Sequence, residues 1–232
     1  MEHFDALIIG AGVVGAMVAR ELTRQGLSCA LLERTDDVAT GASRANSGIV
    51  HAGFDAEPGS LKAALNVRGS EMMEALCREM NVAYRRCGSI VVGFDETDRA
   101  TLAALHERGR RNGVRDLALL SGDEARQKEP SLSDDVICAL WAPTGAVVCP
   151  YELTVAACGV AMKGGCALFC NTAVVSLSYN GNGWEALSDD GRVFGGRYVI
   201  NCAGTHADEV ARMAGDARFS VRARRGAYYL LD

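Results

Sequence analysis

Residues 4–15 have the sequence FDALIIGAGVVG, in which a short apolar run leads directly into three glycines with the spacing GxGxxG. Apolar residues at helical spacing continue over residues 13–25, and a second apolar run at residues 28–32 ends in Glu33. A strand, a glycine-rich turn, a helix and a second strand are the context that gives this motif its meaning. The N-terminal segment therefore predicts a βαβ unit with two parallel strands and a dinucleotide-binding turn.

Each glycine of the motif has its own expected role. Gly10 allows the tight turn, Gly12 lets the backbone approach a pyrophosphate, and Gly15 lets the helix pack closely on the strand. Because the N-terminus of the helix faces the anion, Val13 and Val14 are expected to contribute to the cofactor site. The alternative is a tight strand-to-helix turn that binds no ligand.

The acidic residue at the end of the second strand narrows the choice of nucleotide. Glu33 is placed to accept hydrogen bonds from an adenosine ribose, and Arg34 follows it as a second candidate cofactor-binding residue. A carboxylate at this position disfavours a 2′-phosphate, so NADP is not expected. The motif itself leaves FAD and NAD open.

The remaining chain mixes helical and extended patterns, so we expect an α/β protein. Residues 34–53 are small and polar without a period, which predicts a long loop of the kind that is usually functional. Helices are predicted over residues 60–80, 96–112, 121–128, 151–163 and 202–214, and strands over residues 83–94, 136–142, 166–177, 184–187, 193–201 and 220–231. The apolar face of the first of these helices is predicted from Leu61, Leu65, Met72, Met73, Leu76 and Met80.

Composition excludes several classes of protein. The net charge of -5 argues against a nucleic-acid-binding surface, which needs an excess of Lys and Arg. The sequence contains no apolar stretch of about 18 residues and no basic segment before its first strand, so we expect neither a transmembrane segment nor a signal peptide, and a cytoplasmic protein. The nine cysteines lack paired metal-ligand spacing, which predicts reduced structural thiols and no metal site.

The segment after Glu33 distinguishes FAD from NAD. Residues 41–53, GASRANSGIVHAG, and 58–69, PGSLKAALNVRG, replace the next strand and helix of a minimal NAD-binding domain. With the glycine motif, they resemble the D-amino-acid-oxidase-like superfamily of FAD-dependent oxidoreductases, and within it the anaerobic-type glycerol-3-phosphate dehydrogenases and L-2-hydroxyglutarate oxidases. The similarity continues through VINCAGTHAD at 199–208 and RRGAYYLLD at 224–232.

This resemblance implies FAD as the cofactor and a Rossmann-like FAD-binding domain with an inserted α+β substrate domain. We expect residues 1–82 and 146–218 to form the FAD-binding domain and 83–145 the substrate-domain insertion, with 219–232 starting a return to the substrate domain. In the family a further stretch completes both domains, so we hypothesise that the chain is a fragment. Finding the native polypeptide at this chain's mass with tightly bound flavin would contradict that hypothesis.

The resemblance also assigns roles to individual residues. Residues expected to line the pyrophosphate and flavin are Ser43, Arg44, Asn46, Ser47 and Gly48. Val174 stands where the family binds adenine through backbone groups, and Ala203 and Gly204 belong to a second flavin signature. His51 is a candidate for a hydrogen bond to the flavin, for removal of the substrate proton, or for a structural bond. Arg225 is a candidate for binding a carboxylate or phosphate, or for a structural ion pair.

The chemistry implied is hydride transfer from a hydroxyl-bearing carbon of a small anionic substrate to flavin N5. Oxygen, a quinone and a partner subunit are all open as the electron acceptor, and no cysteine spacing typical of an iron–sulfur site decides between them. Two alternatives stand beside this function: an NAD-dependent dehydrogenase, and a non-catalytic nucleotide-binding fragment. A flavin absorption band would distinguish the expected function from an NAD-dependent dehydrogenase. Activity assays would distinguish it from a non-catalytic fragment.

Overall fold

The structure of the chain is a computed structural model, which describes residues 2–227. The strands are β1 (Glu2–Ile9), β2 (Cys29–Leu32), β3 (Ile49–Val50), β4 (Tyr84–Arg85), β5 (Ser89–Gly93), β6 (Ala118–Ser121), β7 (Cys138–Ala142), β8 (Ala146–Val148), β9 (Ala167–Phe169), β10 (Val174–Tyr179), β11 (Trp184–Ser188) and β12 (Val193–Asn201). The helices are α1 (Val13–Arg24), α2 (Leu61–Glu79), α3 (Glu96–Arg111), α4 (Gly122–Lys128), α5 (Pro150–Lys163) and α6 (Ala207–Met213), with a 3₁₀ turn at Gly204–His206. In the described part of the chain, no helix combines the length and apolar character needed to cross a membrane.

The described residues form two compact units. Residues 2–46 and 150–227 make up the first, and Ser47–Cys149 the second. The sequence predicted instead that the first part of the FAD-binding domain extends to residue 82. The difference arises because β3 pairs with β8 and α2 contacts β4, so that residues 47–82 associate with the segment that follows them.

The first unit is built on a six-stranded sheet in the order β10-β11-β12-β1-β2-β9. The strands β12, β1, β2 and β9 are parallel, which confirms the predicted parallel βαβ unit, and β10 and β11 add an antiparallel edge. Leu7 lies opposite Ala30 of β2 and Val199 of β12, so β1 is the central strand. Because β1, β2 and β12 are parallel neighbours, their carboxyl ends meet at one edge of the sheet.

The core of the first unit explains why the second half of β1 and all of β2 are apolar. Leu7, Ile8, Leu31 and Leu32 are fully buried, as expected for parallel strands that are covered on both faces. Helices α1 and α5 contact each other. Their packing is close, because a Cβ atom on Gly164 would lie 2.8 Å from the hydroxyl of Thr23.

The second unit contains two antiparallel three-stranded sheets, ordered β3-β8-β4 and β5-β7-β6, together with α2, α3 and α4. Strand β7 is central in the second sheet, and its Leu140 packs with Leu102 of α3 and Cys138 in one buried cluster. Side-chain caps define where two of its helices begin. Asp95 caps α3, and Ser121 with Glu124 forms a capping box at α4.

Two segments predicted as single strands are each divided in the structure. The predicted strand at 166–177 consists of β9 and β10, which lie at opposite edges of the six-stranded sheet. The chain turns between them at Asn171, whose φ of +49° is left-handed. The predicted strand at 83–94 is divided at Gly88, with φ +72°, and its halves β4 and β5 belong to different sheets. Both predicted strands thus passed over a turn, at Asn171–Thr172 and at Gly88.

The predicted apolar face of α2 is wrong for its largest residues. Leu61, Leu65 and Met72 are 73%, 54% and 45% exposed. The residues of α2 that are buried are the smaller Ala63, Ser70 and Cys77, at seven-residue spacing, although the predicted Met80 at the C-cap is buried. Small side chains let a helix approach its neighbours closely, and the hydrophobic pattern alone favoured the larger residues.

The strand predicted at 220–231 is not present in its described part. Residues 220–227 have no regular structure and are exposed, and residues 228–231 lie outside the described residues. A strand requires a neighbour for its backbone hydrogen bonds, and among the described strands none pairs with this segment. The short strands β3, β6 and β8 were not predicted, since two to four residues give too little alternation to detect.

Candidate functional site

The glycines of the β1–α1 turn are required by close backbone approaches. Gly10 has a left-handed φ of +101°, and a Cβ atom on it would lie 2.6 Å from the carbonyl oxygen of Cys202. A Cβ atom on Gly15 would lie 2.0 Å from the carbonyl oxygen of Gly10. A side chain at either position would displace backbone rather than a mobile side chain. These two glycines therefore hold the ends of β1 and β12 and the start of α1 together.

The N-terminus of α1 is organised by a residue from the loop that follows β2. Gly12 is the N-cap residue and has no side chain with which to cap the helix. Instead, the hydroxyl oxygen of Ser43 accepts a hydrogen bond of 2.8 Å from the backbone N–H of Val13. A Cβ atom on Gly12 would lie 3.1 Å from that oxygen. The first N–H groups of a helix lack partners within it, so the start of α1 is suited to an anion.

Glu33 connects the end of β2 to this turn. Its side chain is buried, with 8% of the residue exposed. One carboxylate oxygen, Oε2, accepts a hydrogen bond of 2.8 Å from the N–H of Ala11, and Oε1 accepts bonds from the N–H (3.0 Å) and hydroxyl (2.8 Å) of Thr35. A carboxylate has about four lone-pair sites, so these three bonds leave acceptor capacity for a ligand hydroxyl.

A cavity of about 460 Å³ lies at the carboxyl ends of β1, β2 and β12. Its volume is within the range of small-molecule and cofactor sites, and its position is the one where open α/β sheets bind ligands. The predicted site residues that line it are Gly10, Gly12, Val13, Val14, Glu33, Arg34, Ser43, Asn46, Val174, Ala203 and Gly204. The fold thus brings together residues that are up to two hundred positions apart in the sequence.

Gly15 and Arg44, two of the predicted site residues in the first unit, are not part of the cavity lining. Gly15 lies one turn into α1 and packs against the carbonyl of Gly10. The guanidinium carbon of Arg44 is 5.8 Å from the centre of the Tyr151 ring, at the start of α5, in a cation–π contact. In the structure, Gly15 therefore contacts the glycine-rich turn and Arg44 contacts the start of α5.

The other predicted site residues lie elsewhere. Ser47, Gly48 and His51 belong to the second unit, where the carbonyl oxygen of His51 accepts a hydrogen bond of 2.9 Å from the side-chain amide of Asn66. Arg225 is exposed in the segment without regular structure that precedes residue 228. The structure does not group these residues with the cavity of the first unit.

Several cavity residues were not predicted from the sequence. They are Ile9, Leu32, Thr40, Gly41, Ala42, Thr172, Ala173, Cys202, Thr205, His206, Glu209, Val210 and Met213. The residues from 202 onward follow a parallel strand directly, which is a usable signal, because such positions line the carboxyl edge of the sheet. The segment at 172–173 could not be recognised, since its turn was predicted as strand.

Thr172 fixes this segment to the rest of the site. Its N–H donates a hydrogen bond of 2.8 Å to the backbone carbonyl of Glu33, and its hydroxyl accepts one of 2.6 Å from the guanidinium of Arg192. The residue is fully buried. The backbone around Val174 is thereby held at the edge of the cavity next to the end of β2.

Cys202 is the thiol in the cavity lining. Burial raises the pKa of this thiol above its ordinary value. Since the thiolate is the nucleophilic form, this shift lowers the reactivity of the side chain at neutral pH.

These features fit the adenosine diphosphate portion of a dinucleotide. The side-chain-free turn at Gly12 admits close approach of a pyrophosphate to the start of α1, and Glu33 offers a carboxylate beside the end of β2. In the described residues, no group of three or more His, Cys, Asp or Glu side chains is placed to hold a metal ion.

Comparison with known families agrees with this geometry. The model of a family described as FAD dependent oxidoreductase (DAO) matches residues 5–232. This chain belongs to that family. The resemblance drawn from the sequence and the α/β fold class are thereby confirmed, and FAD, the predicted cofactor, is the cofactor of the family.

Curated relatives of this family member extend well beyond it in length. The glycerol 3-phosphate dehydrogenase of Caloramator mitchellensis is 41% identical, in a match that covers 99% of this chain and 48% of the relative. The L-2-hydroxyglutarate dehydrogenase of Escherichia coli K12 is 29% identical, with 98% of this chain and 54% of the relative covered. The chain thus spans about half the length of the curated relatives it matches.

Solved structures share the same fold. The L-α-glycerophosphate oxidase of Mycoplasma pneumoniae, whose structure has FAD bound, superimposes with a TM-score of 0.86 at 26% identity, covering 92% of this chain and 57% of that one. The glycine oxidase of Geobacillus kaustophilus superimposes with a TM-score of 0.85 at 23% identity and covers 93% and 59% of the two chains. The second likeness is one of fold alone.

Proposed function

We propose that the chain supplies the FAD-binding part of an oxidoreductase that removes hydride from the hydroxyl-bearing carbon of a small anionic substrate. The substrate class is a polyol phosphate or hydroxy acid, of the glycerol 3-phosphate or L-2-hydroxyglutarate type. The observation that carries the proposal is the cavity at the carboxyl edge of β12, β1 and β2, whose lining fits a dinucleotide in a chain of this family. The names of the relatives support the substrate class.

In this proposal the first unit holds the adenosine diphosphate portion of FAD. The pyrophosphate lies at the start of α1, where the backbone at Gly12 and Val13 approaches it and Ser43 stabilises the first helical turn. Glu33 accepts a hydrogen bond from a ribose hydroxyl. The adenine lies against the backbone at Val174, which Thr172 anchors.

The reaction itself involves residues whose roles are proposed from the family resemblance. Bound flavin supplies the hydride acceptor at N5. A ring nitrogen of the neutral His51 imidazole takes the proton from the substrate hydroxyl. Arg225 pairs with the substrate carboxylate or phosphate through two parallel hydrogen bonds. Residues 83–145 form the substrate domain, and Ser47 and Gly48 lie on the segment that approaches the flavin ring.

Reconstitution of the purified chain with FAD tests the cofactor part of the proposal. We expect visible flavin absorption bands to co-elute with the protein, and a Gly12→Ala variant to bind FAD at least about ten-fold more weakly, because the added methyl group occupies the pyrophosphate approach. Gly159→Ala is the matched control, since a Cβ atom at this helical glycine has no neighbour within 4 Å. A colourless protein that binds NAD instead would contradict the proposal and support the alternative dehydrogenase.

The substrate class is tested by anaerobic mixing of the flavin-loaded protein with glycerol 3-phosphate and, separately, with L-2-hydroxyglutarate. Loss of the flavin absorption with one of them is the expected result, and subsequent addition of oxygen or a quinone identifies the acceptor that restores it. His51→Gln should slow the loss by at least about a hundred-fold. A flavin-loaded full-length protein that neither compound reduces would overturn the substrate class.

A further inference from the structure

Three polar side chains form a hydrogen-bonded chain at the cofactor cavity of the first unit. Nη2 of Arg34 lies 3.1 Å from Nε2 of His206, and Nδ1 of the same imidazole lies 3.1 Å from Oε1 of Glu209. Arg34 follows β2, His206 ends the 3₁₀ turn after β12, and Glu209 belongs to α6. All three residues line the cavity. The chain of bonds therefore connects elements that follow two different strands of the sheet.

The chemistry of the three groups determines which imidazole nitrogen carries the proton. A guanidinium only donates hydrogen bonds, so Nε2 of His206 must be the unprotonated acceptor. The proton of the neutral imidazole is then on Nδ1, and it is donated to the carboxylate of Glu209. Protonation of Nε2 would remove the acceptor for Arg34 and place two cations against each other.

Arg34 stands next to the residue that is expected to bind the ribose. The carboxylate of the preceding Glu33 is committed to Ala11 and Thr35 through three hydrogen bonds. A guanidinium carries five N–H donors in a planar fork, and the bond to His206 fixes one edge of that fork. The remaining donors of Arg34 are then available to a ligand in the cavity, which Arg34 lines together with Glu33 and residues 172–174.

We propose that His206, in its neutral Nδ1-protonated form, is a positioning residue that orients Arg34 toward the adenosine portion of the cofactor. This inference rests on the proposed FAD-binding function. It makes cofactor affinity dependent on pH, because histidine is the side chain that ordinarily changes charge between about pH 5 and 8. Cofactor binding weakens when the imidazole becomes cationic and releases Arg34.

The charges around His206 are those of its two partners and of nearby ion pairs. Glu209 faces the imidazole from α6, and Arg34 faces it from the end of β2. On the same helix, Asp208 is paired with Arg212. Glu33 is hydrogen-bonded to Ala11 and Thr35. The charged groups that contact the imidazole directly are therefore Arg34 and Glu209.

Binding of FAD and of ADP to the purified chain at about pH 8 and about pH 5.5 tests the inference, since ADP contains the adenosine portion without the flavin. For the wild-type chain we expect both affinities to fall about five-fold at the lower pH, which is the effect of one lost hydrogen bond to a charged group at an exposed site. His206→Gln retains an oxygen acceptor and an N–H donor that do not titrate. This variant should keep the high affinity at both pH values, and His206→Leu should be weak at both.

A matched control is His106→Gln in the second unit, where the imidazole contacts the carbonyl oxygen of Leu117; it should leave the pH dependence unchanged. The ¹⁵N spectrum of the cofactor-free chain at about pH 8 gives a readout that needs no cofactor, and an Nε2-protonated tautomer of His206 would overturn the inference. Nucleotide affinities that are the same in wild type, His206→Gln and His206→Leu would also overturn it while leaving the proposed function intact. A wild-type chain that binds neither nucleotide overturns the proposed function and this inference together.

Discussion

Oε2 of Glu33 accepts a hydrogen bond of 2.8 Å from the backbone N–H of Ala11, so the carboxylate at the end of β2 holds the glycine-rich turn at the end of β1. The other oxygen of this carboxylate, Oε1, accepts hydrogen bonds from Thr35 at the beginning of the following loop. A side chain proposed to bind the ribose therefore also maintains the turn that is proposed to approach the pyrophosphate. Preorganisation of the two parts of the site depends on one buried carboxylate.

Replacement of this carboxylate should destabilise the protein even without a cofactor. In Glu33→Gln one oxygen becomes an NH₂ group that cannot accept, so a hydrogen bond from Ala11 or from Thr35 is lost. We expect the free energy of unfolding in urea to fall by about 2 kcal/mol. The exposed Glu2→Gln is the matched control and should change it by less than about 0.5 kcal/mol. Equal effects of the two substitutions would show that the hydrogen bonds of Glu33 to Ala11 and Thr35 do not contribute to the free energy of unfolding.

Two helical glycines should respond in opposite ways to a single methyl group. A Cβ atom on Gly15 would lie 2.0 Å from a backbone carbonyl oxygen, so Gly15→Ala should destabilise the chain by more than about 2 kcal/mol. At Gly159 in α5 a Cβ atom meets no atom within 4 Å, so Gly159→Ala should stabilise it by up to about 1 kcal/mol. Urea unfolding of the two variants measures both signs. A neutral Gly15→Ala would mean that α1 can move away from β1.

The part of the fold that the sequence predicts well is the part that depends on local signals. The β1–α1–β2 unit is coded within one continuous segment by the GxGxxG spacing and the apolar pattern, and its parallel pairing follows from the crossover helix. The split of residues 166–177 depends instead on Asn171 adopting a left-handed φ and on Thr172 being buried beneath Arg192. These are tertiary choices, and the local pattern of apolar residues does not reveal them.

The candidate site shows the same division. Gly12, Glu33 and Ser43 lie in sequence segments that are recognisable as motifs. All three residues line the cavity in the structure. His206 and Glu209 line the cavity only because β12 pairs with β1. This pairing places the start of α6 at the cavity. No local pattern around residue 206 indicates that it meets Arg34, 172 positions earlier in the chain.

The ion pair of Asp208 with Arg212 should make stability depend on pH in the acid range. Hydrogen bonding to Arg212 holds the pKa of the Asp208 carboxyl below its ordinary value of 3.8, and the N–H of Val221 adds to the effect. A lowered folded-state pKa contributes stability that is present above the ordinary value and is lost as the pH falls through the folded-state value. Asp208→Asn should therefore be less stable than wild type at about pH 6, and the difference should shrink toward about pH 3. A difference for Asp208→Asn that stays constant between about pH 6 and about pH 3 would contradict the prediction.

The nine cysteines should divide into distinct reactivity classes, because all are free and only two are exposed. Cys87 and Cys149 should react rapidly with an aromatic disulfide reagent at about pH 8. Cys158 should react only after unfolding, because burial raises its pKa to about 12. The pKa of Cys166 is also raised, first by a hydrogen bond with Cys29 and then by burial. We expect two equivalents of thiol in the fast phase and nine in urea, and the double variant Cys87→Ser/Cys149→Ser should lose the fast phase. A fast phase that survives in this variant would show that a thiol of the core, such as Cys166, is reached by local opening of the native state.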